Sequence, residues 1–236
     1  MIDRCAFSYC YDLKSIEIPA GVKSIKDSAF YQCIGLEIIE IPDSVISIGN
    51  SAFNQCYSLS SVVIPQSVTK IEGNMFFYCY SLSSIVIPQS VTKIEGNMFY
   101  YCYSLSSIVI PQGVTSIGGG AFNSCSSLSS IVIPQGVTSM GYQAFNKCYS
   151  LSSIVIPQGV KNIEGYVFSQ CPSLVILDFS IHTAVPTLSS TNAIPTHAEV
   201  HIIVPDDLYD TWISATNWSS FASQIIKKSD WDASQA

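Results

Sequence analysis

Charged residues are scarce in this chain of 236 residues. Asp, Glu, Lys and Arg together make up 11% of the sequence, against about 25% in typical soluble domains. The net charge is −7 and the ten basic residues are scattered, so no basic patch could neutralise nucleic-acid phosphates. No apolar run approaches the roughly 18 residues that a membrane-spanning helix needs. We therefore expect neither nucleic-acid binding nor membrane insertion.

Motifs of catalytic and metal-binding sites are missing as well. The sequence has no Gly-x-Ser-x-Gly elbow, no phosphate-binding glycine loop and no His-Glu-x-x-His. It has no Cys-x-x-Cys, and His182, His197 and His201 lie in the C-terminal quarter, away from most cysteines, which argues against a zinc site. Glu72 and Glu95 each follow a lysine by two positions, a spacing that favours solvated ion pairs over an acid/base pair. We predict a protein without catalytic residues, cofactor or metal.

What the sequence contains instead is a repeat with a period of 23 residues. Eight of the nine cysteines, from Cys10 to Cys171, follow one another at this interval. Each is followed at fixed distances by Leu, then by Ile-x-Ile and in most copies Pro, then by Val, by Ile or Met, and by Phe. A fixed period of 20–29 residues is typical of leucine-rich repeats.

The period predicts a solenoid. Ile-x-Ile is a short strand with both isoleucines on one face, and the proline after it ends the strand. Val-x-x-Ile predicts a second, weaker extended segment. Because one coil cannot bury these side chains alone, we expect coils stacked at roughly 4.8 Å. The prediction is an α/β-type solenoid, mostly β, with 23-residue coils and a parallel sheet on one face. The aligned cysteines are expected to be buried thiols, because parallel Cβ directions oppose disulfide bridges.

The two ends of the chain depart from the repeat. We assign residues 1–180 to the solenoid, which starts within a repeat, and residues 181–236 to an irregular last coil plus a helical C-terminal cap of the same structural unit. Residues 181–198 are predicted to be an irregular excursion, and residues 199–205 to form the strand of the last coil.

The predicted cap consists of two short helices. Asp206 or Asp207 is expected to N-cap the first. Asn217 is expected to cap the second, whose apolar stripe extends to Ile225 and Ile226 and would lie against the open end of the stack.

The repeat resembles a known family. The pattern Leu-x-x-Ile-x-Ile-Pro-x-x-Val-x-x-Ile-x-x-x-Ala-Phe-x-x-Cys recurs in seven copies over about residues 5–180 and is similar to the BspA-type leucine-rich repeat. This resemblance implies bacterial secreted or cell-surface proteins, some of which bind matrix proteins or other cells. We therefore expect a non-enzymatic extracellular or cell-surface adhesion module, with a leader absent from this chain and a protein or glycan of a host or neighbouring cell as partner. The alternative is a structural spacer or self-association domain of a larger surface protein.

Two surfaces are candidates for binding. The residue between the two isoleucines must face outwards, and five coils place valine there, with serine two positions earlier. This uncharged stripe favours a contact site, with weak self-association as one possibility, although valine also simply suits a pleated surface. The residues are Val63, Val86, Val109, Val132 and Val155, with Ser84 and Ser107 beside them.

The second candidate is a group of tyrosines next to the cysteine corner of the coils. Tyrosine is enriched at recognition surfaces, but these rings could equally cover an exposed edge of the solenoid. The residues are Tyr57, Tyr78, Tyr80, Tyr101 and Tyr103.

Overall fold

Short parallel strands lie above one another in successive coils. The computed structural model describes residues 1–197 and 199–235 as a solenoid of about nine turns. The strands are β1 (Ser15–Glu17), β2 (Ser24–Ile25), β3 (Ile38–Glu40), β4 (Ser47–Ile48), β5 (Ser61–Val63), β6 (Ser84–Val86), β7 (Lys93–Ile94), β8 (Ser116–Ile117), β9 (Ser139–Met140), β10 (Ser153–Val155), β11 (Asn162–Ile163), β12 (Ile176–Asp178), β13 (Thr187–Leu188), β14 (His201–Val204) and β15 (Ile225–Lys227).

These strands form two parallel sheets on different sides of each coil. The front sheet contains β1, β3, β5 and β6 in one half and β10, β12, β14 and β15 in the other. Between the halves, a single bridge joins Val109 to Val132. The second sheet contains β2 and β4, then β7, β8, β9, β11 and β13. Val62 lies opposite Ile85, one period along the chain, so the predicted solenoid with its 23-residue coils is confirmed.

Columns of identical side chains fill the space between the sheets. The most regular is a column of phenylalanines whose neighbouring ring centroids lie 5.2 to 5.8 Å apart with nearly parallel planes. Each ring covers the next, and offset stacking adds to the energy of burial. The column consists of Phe7, Phe30, Phe53, Phe76, Phe99, Phe122, Phe145 and Phe168.

The cysteine column lies beside the phenylalanines. Seven thiols, from Cys33 to Cys171, are buried, and each donates to the main-chain carbonyl of the phenylalanine 26 positions earlier, as in Cys79 Sγ to Phe53 O at 3.2 Å. Within residues 1–197, which include every cysteine, all thiols are free. The expectation of burial is wrong for Cys10, which lies in the first coil that the structure describes and is exposed there.

The C-terminal quarter keeps more of the solenoid than we predicted. The period lengthens to 25 residues, since Ile163 lies opposite Leu188 and Leu177 opposite Ile202. The predicted excursion is therefore wrong in part, because β13 within it extends the second sheet. Ala198 and Ala236, which end the predicted excursion and cap, lie outside the described residues. The boundary at residue 180 stays a prediction.

The predicted cap is only partly correct. The helices are α1 (Tyr209–Ser214) and α2 (Lys228–Ser234). Neither predicted aspartate caps α1, which follows a 3-10 turn over Asp206–Leu208. Asp206 instead accepts a hydrogen bond from the Ser229 N–H at 3.0 Å.

The second predicted helix is wrong beyond Phe221. Trp218–Phe221 is a 3-10 turn, and the side chain of Asn217 does not cap it but donates to Leu188 O at 2.7 Å. Ile225 and Ile226 lie in β15, which pairs with β14. One more strand therefore follows the coil that we predicted to be the last, because it satisfies the main-chain groups along the edge of β14.

Aromatic side chains close this end of the core. Trp212 and Trp218 lie with ring centroids 4.6 Å apart, and Trp212 packs on Phe179 at 4.9 Å. Trp218 Nε1 donates to Pro186 O at 2.7 Å. In residues 1–197 and 199–235, no helix has the length and apolar composition of a membrane span.

Replacing a central ring of the phenylalanine column should cost more stability than replacing a terminal one. Phe99→Ala removes a fully buried ring with a neighbour on each side and should destabilise the protein by about 3–5 kcal/mol. Phe7→Ala, at the same repeat position but half-buried and stacked only on Phe30, should cost clearly less. Urea denaturation measures both. Equal losses would contradict the column as described.

The thiols should fall into two classes. Burial raises the pKa of Cys33 to about 11 and that of Cys171 to about 12, so these thiols hardly ionise at pH 8, and the thiolate is the reactive form. In the native protein only Cys5 and Cys10 should react rapidly with a disulfide reagent, and all nine cysteines after denaturation. Fewer than nine reactive thiols in denaturant would reveal a disulfide.

Candidate binding surfaces

The five predicted valines form one exposed row on the front sheet. Their side chains are 63%, 50%, 78%, 78% and 48% exposed from Val63 to Val155. Val62 and Ile64, on either side of Val63, are buried, as the alternation of a strand requires. Val63 lies opposite Val86. The structure thus brings together all five valines, from neighbouring coils.

A row of serines runs beside the valines. Ser84 lies opposite Ser61 in the register of β5 and β6, and Ser84 and Ser107 are both exposed. We call the valine and serine rows together the valine–serine face. It presents methyl groups and hydroxyls and no charge over five coils.

Ile38 extends this face, and the sequence reasoning did not select it. It occupies the serine position of β3, opposite Ser61, and is 53% exposed. With Val63 and Glu40 it lines a shallow depression of about 380 Å³. The available signal was an isoleucine at a position that is serine in six of the eight repeats, with Ile176 as the other exception.

The five predicted tyrosines also lie together, in two stacked rows. Tyr57, Tyr80 and Tyr103 stack with centroids 4.8 and 5.2 Å apart, and Tyr78 stacks on Tyr101 at 4.7 Å. Edge-to-face contacts join the rows, with Tyr78 and Tyr80 5.7 Å apart. Four of the rings are half-buried, and Tyr103 is exposed. We call these five residues the tyrosine corner.

Glutamine side chains continue the tyrosine corner towards the N-terminus. Tyr57 donates from its hydroxyl to Gln55 Oε1 at 3.0 Å, and Gln55 Nε2 donates to Tyr31 Oη at 3.0 Å. Gln32 Nε2 donates to Gln55 Oε1 at 3.0 Å. These bonds hold Tyr57 in place, and the sequence reasoning missed the glutamines because their spacing alone does not show which hydroxyl they reach.

Crowding changes the acidity of the corner. Partial burial, and then the neighbouring phenols, raise the pKa values of Tyr78, Tyr80 and Tyr103 above the ordinary value near 10. Loss of a proton would place a negative charge among partly buried, stacked rings, which disfavours the ionised form. Tyr78, Tyr80 and Tyr103 are therefore neutral at physiological pH.

Metal ligands are not grouped anywhere in the part of the chain that the structure describes. There, no three His, Cys, Asp or Glu side chains lie together as metal ligands would. Lys70 and Glu72 form an exposed ion pair at 2.6 Å, as the spacing indicated. The same expectation is wrong for Lys93 and Glu95, which form no ion pair within 4 Å among the described residues. That the protein is not an enzyme stays a prediction.

A family model and solved structures of other proteins match this chain. The family model for the BspA type leucine rich repeat region matches six copies within residues 1–118 and 92–191. No curated protein matches the chain. A leucine-rich repeat protein of T. pallidum (TpLRR) is 26% identical, with 84% of this chain and 81% of that chain covered and a TM-score of 0.50. A leucine-rich repeat protein from Bacteroides ovatus is 25% identical, with 91% of this chain and 66% of that chain covered and a TM-score of 0.51.

The tyrosine corner should make the protein sensitive to alkali. Folding raises the pKa values of Tyr78, Tyr80 and Tyr103. Their contribution to stability is therefore complete below about pH 10 and is lost as the pH rises through the raised pKa values. Thermal unfolding followed between pH 8 and 12 should show this loss. In Tyr80→Phe with Tyr103→Phe the loss should be smaller; an unchanged pH profile would contradict the assignment.

Proposed function

Because the chain belongs to the BspA-type leucine-rich repeat family, we propose that it acts as a non-enzymatic binding module at the cell surface or in secreted form, and that its valine–serine face contacts a protein. The family's fold suggests a repeat-based interaction or surface module. The surface location and the adhesive role rest on the resemblance of its repeat to that family. Beyond that resemblance, the proposal specifies that the valine–serine face makes the contact and that the partner is a protein.

One observation carries the proposal, namely the row of five exposed valines. The five coils extend roughly 20 Å along the solenoid, since neighbouring strands lie about 4.8 Å apart. Covering apolar surface contributes about 25 cal/mol per Å², and the valine and serine positions between Val63 and Val155 hold no charge that a partner would have to desolvate. Contiguous exposed apolar surface of this kind tends to mark contact sites.

The chemistry of the face favours a protein over a glycan. Valine offers neither a hydrogen bond nor a ring to a sugar. The serine hydroxyls, such as those of Ser84 and Ser107, can bond a few polar groups at the margin, as the polar rim of a protein interface does. The partner should therefore present a flat, mostly apolar and uncharged surface.

The tyrosine corner is a second candidate for contact. Its two stacked rows present stiff, amphipathic rings, the kind of side chain that binding surfaces use most. Because four of the five rings are half-buried against each other, it offers less free apolar surface than the valines do.

Charge placed in the valine row should abolish partner binding. Val86→Lys with Val109→Lys should weaken binding at least about tenfold, because each lysine would be buried without a counter-charge. Thr92→Lys with Thr115→Lys puts the same charges at exposed positions directly before β7 and β8 of the second sheet and should leave binding intact. Tyr80→Ala with Tyr103→Ala tests the corner. Binding to immobilised matrix proteins and to whole cells is measured by surface plasmon resonance and flow cytometry.

The outcomes separate the alternatives. If the two valine substitutions leave binding unchanged, the valine–serine face is not the site, and loss of binding in the tyrosine variant alone would transfer it to the corner. If neither the native chain nor any variant binds matrix proteins or cells, a spacer is the better description. If the native chain self-associates in analytical ultracentrifugation and Val86→Lys with Val109→Lys abolishes this, the face joins copies of the chain.

A further inference from the structure

A cleft of about 430 Å³ lies near the C-terminal end, where the corner of the coil of Cys171 meets the segment before β14. Its volume falls in the range of about 300–1,000 Å³ that small-molecule sites occupy. It is remote in sequence from the central valines and tyrosines. The polar residues that line it are Tyr166, Ser169, Gln170, Asn192, Thr196 and His197.

The cleft exists because the corner stops stacking at this coil. In earlier coils the corner residue donates its N–H to the next coil, as Lys147 does to Ser169 O at 2.9 Å. Gln170 occupies the same repeat position but has no main-chain acceptor among residues 1–197 and 199–235. The chain instead forms a 3-10 turn over Thr191–Ala193. Phe168 N–H still donates to Ala193 O at 2.9 Å, which holds the two segments together beside the gap.

The polar groups of the cleft are held in place by neighbours. Asn192 Nδ2 donates to Tyr166 Oη at 3.1 Å, and the Tyr166 ring packs edge-on against Tyr142 at 5.5 Å. The main-chain carbonyl of His197 accepts from Gln224 Nε2 at 2.9 Å. Little reorganisation would therefore be needed when a ligand binds.

One polar atom of the cleft lacks a partner. His197 Nε2 is inaccessible to solvent and has no hydrogen bond to any described residue. Buried polar atoms are nearly always paired, because the desolvation of an unpaired one is not compensated. Because this nitrogen is closed off from solvent, a ligand hydroxyl would reach it only after a rotation of the imidazole ring towards the cleft.

We propose that this cleft binds a neutral saccharide. Of the described residues, none that lines the cleft is Asp, Glu, Lys or Arg, so a charged ligand would find no counter-charge. The hydroxyls of Tyr166, Ser169 and Thr196 and the amides of Gln170 and Asn192 line the cleft, and they both donate and accept, as the hydroxyls of a sugar require. The ring of Tyr166 adds an apolar surface for the C–H groups of a pyranose. One or two sugar units are the size of ligand that the volume suits.

Saturation-transfer NMR of the whole chain with a panel of neutral mono- and disaccharides tests the proposal. At least one saccharide should give a saturable signal, and Gln170→Ala should weaken its binding about fivefold, the effect of one lost hydrogen bond. Gln55→Ala is the matched control. Gln55 occupies the same repeat position and also has a positive φ, 62° against 55° for Gln170, but it lies far from the cleft. The Gln55→Ala variant should bind the saccharide as the native chain does.

Three results would overturn the proposal. The first is that no saccharide gives a saturable signal with the native chain. The second is that Gln170→Ala and Gln55→Ala weaken saccharide binding equally. The third is that N-acetylated dipeptide amides displace the saccharide and bind more tightly than it does. Val86→Lys with Val109→Lys should leave saccharide binding unchanged. The proposal for the cleft and the proposal for the valine–serine face can therefore be refuted independently of each other.

Discussion

The main-chain hydrogen bonds between successive corners are the interaction on which this solenoid depends. In one coil, Asn74, Phe76 and Tyr78 donate to Gly96, Met98 and Tyr100 of the next at 2.8 to 3.1 Å. Asn74 and Tyr78 both have positive φ, 55° and 62°, a conformation that costs a residue other than glycine roughly 1–2 kcal/mol. The bonds offset this cost only when the next coil is in place, so each coil stabilises the conformation of its neighbour.

The period made most of the fold predictable, and its interruption marks where prediction failed. Val86 is exposed while Ile85 and Ile87 are buried, because successive side chains of a strand point to opposite faces of the sheet. Ile225 and Ile226 also fit a helical spacing with Trp218 and Phe221, and only the unpaired edge of β14 decides for a strand, which a local pattern cannot reveal. The cleft beside Gln170 was not predicted for a related reason. It forms because residues 191–197 do not continue the stacking of the corner, and their sequence lacks the repeat pattern from which an interruption could be located.

The exposed positions can vary while the core stays constant. Residues 57–79 and 80–102 differ only at Val62 against Ile85 and at Phe77 against Tyr100, and the second change adds a hydroxyl at the corner. Because each coil contacts only its neighbours, such a substitution needs no compensation elsewhere. A surface of several coils can thus acquire one chemical character, uncharged and apolar on the front sheet and aromatic at the corner, coil by coil.

The buried cysteine column has a consequence for where such a chain can fold. Its thiols are held by carbonyls and by packing, as in Cys79 to Phe53 O, and contribute to the core in the reduced form. Because no cysteine of residues 1–197 forms a disulfide, the folded state does not require an oxidant. The buried thiols should keep the same packing in a reducing cytosol and in oxygenated fluid, whereas the exposed Cys5 and Cys10 are open to oxidation.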